Sequence, residues 1–193
     1  MSRLLIVENL SLDGVMQAPG RPDEDTRGGF AHGGWALPFR DSVMGQMMGA
    51  GMANTGPMLF GRRTYEDFYQ VWPGRKDNPF TAILDNAQKY VASTTLREPL
   101  PWINSTLLTG DVGDAVSRLK AESARDVVVL GSGVLAQSLM QRGLVDDFVL
   151  LIHPLVLGAG RRLFADDGAL ASMTLVDSRT TTTGVVMATY KKG

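Results

Sequence analysis

Three stretches of this 193-residue chain place phosphate-compatible groups directly after short apolar runs. The first is VVVLGSGVLA at 127–136. A strand that breaks at glycine and restarts as a helix aims free backbone N–H groups and the positive helix end at one point. Glycine suits Gly131 and Gly133 because a Cβ would block close approach of an anion. Ser132 and Val134 complete the turn and open the helix. Formally this is G-x-G-x-x-A, the fingerprint of a dinucleotide-binding domain. The plain alternative is a tight strand-to-helix turn with no ligand. A strict Rossmann reading also needs an acidic ribose ligand about 20 residues on. The next apolar run, 148–152, ends instead in His153-Pro154.

The second stretch is LFGRRTYE at 59–66, where a strand breaks at Gly61 and a helix begins. Arg62, Arg63 and Thr64 lie in its first turn. Cations there oppose the helix dipole and destabilise it unless an anion compensates, and guanidinium forks suit phosphate. Two solvated surface arginines are the alternative. The third stretch is KYVASTT at 89–95, with Ser93 and Thr94 just past a strand's end, which alone reads as a turn or helix cap. Ligands of open α/β sheets bind outside the carboxyl ends of the strands, and all three stretches sit at such ends.

Composition narrows the chemistry. Without cysteine there is no disulfide framework, thiol nucleophile or Cys-ligated metal. With only His32 and His153, a His-rich metal site is not expected. A net charge of −1 gives no electrostatic footprint for nucleic acid. No apolar run approaches the roughly 20 residues of a spanning helix, and the N-terminus lacks the pattern of a signal peptide. The expectations are one domain over 1–193, a cytoplasmic location, a small-molecule substrate, no metal, no membrane or nucleic-acid partner, and room for a homodimer.

The elements that must position these residues alternate. Strands are predicted at 4–7, 58–61, 89–93, 106–109, 126–130 and 147–153, with a terminal hairpin around TTTTG. Helices are predicted at 40–53, from 62 to 72, through Lys120 after a cap at Asp111 or Asp114, and at 133–142. A long loop with two prolines and five glycines covers 17–34, as binding loops and lids do. Such alternation predicts an α/β sandwich of about eight strands, mostly parallel, with an antiparallel strand from the hairpin.

Taken in order, GRRTYE, the strand ending in Ser93-Thr94 and VLGSG resemble the dihydrofolate reductase fold. The opening Ser11-Leu12-Asp13-Gly14 resembles the C-terminal reductase domain of the bifunctional riboflavin-biosynthesis deaminase-reductase. The resemblance spans essentially the whole chain. It implies a dihydrofolate-reductase-like three-layer sandwich and NADPH as hydride donor. It puts Arg62 on the adenosine 2′-phosphate with Ser93 and Thr94. Arg63 and Thr64 fall at the pyrophosphate, beside the amides of Gly131, Ser132 and Gly133. Gly14 and Val15 fall against the nicotinamide. The implied activity is NADPH-dependent reduction of a pterin-like or ribosylaminopyrimidine-like heterocycle or a carbonyl compound. Deaminase chemistry is excluded, because its zinc motif needs cysteines.

On the substrate side the chain departs from that pattern. Trp35-Ala36-Leu37-Pro38 resembles the turn before the family's acidic residue, but one extra residue precedes Asp41. Asp41 is thus either the catalytic acid or a helix N-cap. Met44, Met47, Met48 and Met52 read most simply as core packing. Two rivals remain, a nucleotide-binding regulatory module of the same fold without turnover and an NAD-linked Rossmann dehydrogenase.

Overall fold

Val127 and Val129 pack into one apolar layer, while Val128 and Leu130 pack into another. A strand buried on both faces needs helices on both, and the remaining elements supply them. The computed structural model describes residues 1–53, 56–76, 78–164 and 170–193. In chain order its strands are β1 (Leu4–Ser11), β2 (Met58–Gly61), β3 (Lys89–Ala92), β4 (Ser105–Leu108), β5 (Val127–Leu130), β6 (Asp147–His153), β7 (Met173–Thr180) and β8 (Val186–Lys192). Its helices are α1 (Ser42–Ala53), α2 (Arg62–Val71), α3 (Pro79–Asn86), α4 (Val112–Glu122) and α5 (Gly133–Gln141).

The sheet order is β4-β3-β2-β5-β1-β6-β8-β7. β1 to β6 run parallel, and β8 joins β6 and β7 by antiparallel pairing. This is the mixed, mostly parallel eight-stranded sheet that the alternation predicts. Val116 and Leu119 of α4 and Leu135, Ala136 and Leu139 of α5 cover one face. Met52 of α1, Tyr65 of α2 and Leu84 of α3 cover the other. Met44 and Met47 pack on Leu151, Val185 and Met187, so the methionine helix serves as core.

Local chemistry sets the helix ends. The Asp111 carboxylate accepts hydrogen bonds from the amides of Gly113 (2.9 Å) and Asp114 (3.1 Å), capping α4. Past α5, Gly143 turns the chain at φ +68°, where a side chain would be strained.

Two elements depart from the sequence reading. The reading places nothing between α2 and β3, yet α3 forms there, with Asn78 accepting from the Phe80 amide and proline at the first helical position. The strand expected at 4–7 continues to Ser11, because β6 pairs with β1 from Leu5 to Ser11. That ladder carries two polar residues, Glu8 and Asn9, into the middle of the sheet.

Candidate functional site

The carboxyl ends of β2, β3, β4 and β5 open into one cavity of about 640 Å³. Gly61, Arg62, Arg63 and Thr64 line it from β2 and α2, Ser93 and Thr94 from the end of β3, and Ser132, Gly133 and Val134 from the start of α5. The structure therefore brings together nine of the residues singled out in the sequence. Gly131 joins them from a second cavity of about 520 Å³, which shares Arg27, Arg63, Thr64, Ser132, Gly133 and Val134 with the first. The two are ends of one trough across the first turn of α5.

The turn after β5 is built around its own backbone. Gly131 has φ +52° and Ser132, unusually for a non-glycine, φ +60°. Such a residue costs roughly 1–3 kcal/mol and persists where its surroundings enforce it. Here the Ser132 hydroxyl donates to the Leu130 carbonyl (3.0 Å) and accepts from the Gly61 amide (3.0 Å). The Ser132 amide donates to Thr64 Oγ1 at 3.1 Å. With its hydroxyl engaged there, Ser132 does not cap α5, and no side chain does. The first-turn amides thus face the trough, as an anion requires.

α2 also starts without a side-chain cap, at Gly61. Arg62 meets Glu66 at 2.8 Å one helical turn on, a half-exposed pair of small energetic weight. Arg63 is exposed between the two cavities. Ser93 Oγ accepts from the amides of Thr95 (3.1 Å) and Leu96 (3.0 Å), so this hydroxyl holds the loop after β3 while lining the cavity.

The second cavity lies under the loop at 17–34, which folds around buried Gln17. Its amide nitrogen donates to the carbonyls of Asp25 and Arg27, and its oxygen accepts from the Arg161 amide. Arg21 reaches across to Asp67 of α2, with 2.5 and 3.1 Å contacts to its two oxygens. The loop is therefore pinned as a lid over the end of β1. Under it lies Glu8, 4% exposed. Burial pushes the Glu8 carboxyl from its ordinary 4.5 up to about 8, against the Asn9 amide bond that draws it down. Glu8 was missed by the sequence reading; the available signal was its even-numbered place in Leu4, Ile6, Glu8, Leu10.

Three sequence candidates stand elsewhere. Asp41 caps α1 through the Met44 amide (2.7 Å), and its other oxygen accepts from the Thr182 amide and hydroxyl (2.7 Å each). These bonds, the Met44 amide first, hold its carboxyl below the usual aspartate range. Asp41 lines neither cavity of the trough. Gly14 and Val15 also lie outside the lining, with Val15 fully buried. The next residue, Met16, lines the second cavity, and its sulfur occupies the space above Gly133. His153 is structural: its Nε2 meets Asn9 Oδ1 at 3.0 Å, its ring stands edge-on to Trp35, and burial lowers its pKa to about 4.

This sheet order, with anion-compatible turns at the carboxyl ends of its parallel strands, defines a dihydrofolate-reductase-like fold. Over its full length the chain superposes on Schistosoma mansoni dihydrofolate reductase, covering 99% of that chain at TM-score 0.60 and 13% identity. It also superposes over its full length on 58% of Acinetobacter baumannii RibD, at TM-score 0.67 and 16% identity. The family is settled by sequence: the RibD C-terminal domain model matches residues 4–187, and the chain belongs to that family. A relative, the Bacillus subtilis (strain 168) protein YyaP, is 31% identical over 140 residues, 69% of this chain and 72% of its own. Fold and family together support a reductase-type enzyme. Among the described residues no helix is long and apolar enough to cross a membrane, and no cluster of acidic or histidine side chains could hold a metal.

Proposed function

We propose that this chain works as one domain, 1–193, and is an NADPH-dependent reductase of a small heterocyclic or carbonyl substrate. The observation that carries the reading is the uncapped first turn of α5 facing the cavity that Arg62, Arg63, Thr64, Ser93 and Thr94 line. The residues fit a phosphorylated dinucleotide. The amides of Gly133 and Val134 would take the pyrophosphate, with Arg63 and the Thr64 hydroxyl beside them. Arg62, Ser93 and Thr94 would take the 2′-phosphate, with Arg62 exchanging Glu66 for a doubly charged partner. When bound, the cofactor supplies the hydride, and the protein supplies its position.

The substrate end of the trough lies under the lid, where the Arg21–Asp67 pair holds the 17–34 loop against α2. A second reading, a nucleotide-binding regulatory module without turnover, draws support from Asp41, whose carboxylate is committed to a cap and the terminal hairpin. NADPH oxidation, followed across pterins, ribosylaminopyrimidines and quinones, separates the two. Turnover with any of them favours the reductase, and NADPH binding without turnover across the whole set favours the module.

A further inference from the structure

Among the ionisable side chains that line the cavity under the lid, Glu8 is deeply buried and, among the described residues, has no ion-pair partner. Glu8 projects from β1 in the row of Leu4, Ile6 and Leu10, beside the Gly131-Ser132-Gly133 turn. Among the described residues its one hydrogen bond is from the Asn9 amide to Oε1, at 3.2 Å. A buried carboxyl without a partner is unfavourable when charged, and a leucine would suit this row better. Its placement therefore points to chemistry at the cavity rather than to packing.

We infer that Glu8 is the proton donor of the reduction, and that its cavity takes a neutral substrate bearing an imine nitrogen or a carbonyl oxygen. The inference rests on the reductase reading above. When reduced nicotinamide dinucleotide is bound, it supplies hydride to the carbon of the C=N or C=O bond. The Glu8 O–H bond breaks as an N–H or O–H bond forms on the substrate heteroatom. The carboxylate left behind takes a proton from solvent at the cavity mouth. One hydride and one proton thus add across the double bond.

The surroundings keep the donor protonated. Burial raises Glu8 to about 8, and Glu24 of the lid adds a smaller push in the same direction. The other lid charges are paired, Arg21 with Asp23 and Asp67, and Arg27 with Asp25. Arg63 and Glu66 of α2, the latter paired with Arg62, and Arg161 of the loop after β6 also line the cavity, and the first turn of α5 brings no charge. A protonated carboxyl donates to an acceptor, whereas an ionised one would hold a cation. This is why the cavity selects neutral acceptors.

The test is infrared spectroscopy of the full chain across pH 5 to 10, with NADPH binding titrated in parallel. The wild type should show a protonated carboxyl band that disappears with a midpoint near 8. Glu8→Gln should lack it, and so should Glu8→Leu, which fits the apolar row if the first variant folds poorly. With oxidised cofactor present, 7,8-dihydropterin (a neutral imine) or menadione (a neutral carbonyl) should shift the band. Single-turnover hydride transfer to that probe should fall roughly 10²–10⁴-fold in Glu8→Gln. A carboxyl already ionised at pH 6, a band that neither probe moves, or unchanged transfer in the variant would overturn the proposal. If NADPH binds normally in that case, only the role of Glu8 falls; if NADPH fails to bind the wild type, the cofactor reading falls first and takes this one with it.

Discussion

The Ser132 amide donates to Thr64 Oγ1 at 3.1 Å, joining the turn after β5 to the first turn of α2 across 68 residues of chain. Through that bond two uncapped helix starts face one trough. The bond also uses the Thr64 oxygen as acceptor, which leaves its O–H free to donate to a phosphate.

Thr64→Val removes that acceptor and donor while keeping the branched shape. An ordinary hydrogen bond contributes about 0.5–1.5 kcal/mol. NADPH affinity is expected to weaken by a factor of about 2–12, with a modest fall in melting temperature. Calorimetric titration checks it, and unchanged affinity would remove Thr64 from the cofactor site.

Gly131 sits at φ +52°, and a Cβ there meets Thr64 Cγ2 at 3.4 Å. A β-branched residue in this region is strained by roughly 1–3 kcal/mol. Gly131→Val should therefore lower the melting temperature and abolish NADPH binding in the fraction that stays folded. A folded variant that binds normally would show that the turn does not hold the pyrophosphate.

Much of the fold is legible because its central elements are chemically unmixed. Val127 to Leu130 are apolar on both faces, and Asp111 announces α4. Gly61, Gly131 and Gly133 mark where strands give way to helices. The missed parts depend on contacts distant in sequence. α3 is short, and only the Asn78-Pro79 pair signals it. β1 reads as ending at Val7 until β6 supplies seven paired residues. Glu8 is hidden by that same truncation, since its burial follows from the longer strand. Asp41 shows the converse: a helix cap and an active-site acid look alike until Thr182 of the terminal hairpin claims the second oxygen.

Asp41→Asn should be nearly silent in hydride-transfer rate, because asparagine caps about as well as aspartate. Asp41→Ala should lower the melting temperature through the loss of both the α1 cap and the tie to Thr182. Stopped-flow kinetics and thermal melts check both variants. A large rate loss in the Asn variant, with its melting temperature unchanged, would restore Asp41 as a catalytic acid.

Glu8 also has a signature in stability. Its native pKa of about 8 lies above the ordinary 4.5, so the folded state holds more protons than the unfolded one between those values. Its contribution is fully present below about 4.5 and is lost as pH rises through 8. His153, lowered to about 4, acts in the opposite sense on its own window, which lies toward acid. Urea denaturation of wild type and Glu8→Gln at each pH cancels the His153 contribution. The stability difference should move steadily in favour of the variant from pH 5 to 8, and a flat difference would mean that Glu8 is ionised in the native protein.

The most direct measurement of the cofactor site is titration of wild type and Arg62→Ala with NADPH and with NADH at one ionic strength. Arg62 lines the cavity with Ser93 and Thr94, and a charge-assisted hydrogen bond is worth about 1.5–3 kcal/mol. The wild type should prefer NADPH, and Arg62→Ala should lose about 10- to 150-fold in NADPH affinity while NADH binding barely changes. Equal losses for both cofactors, or a wild type that binds neither, would contradict the account.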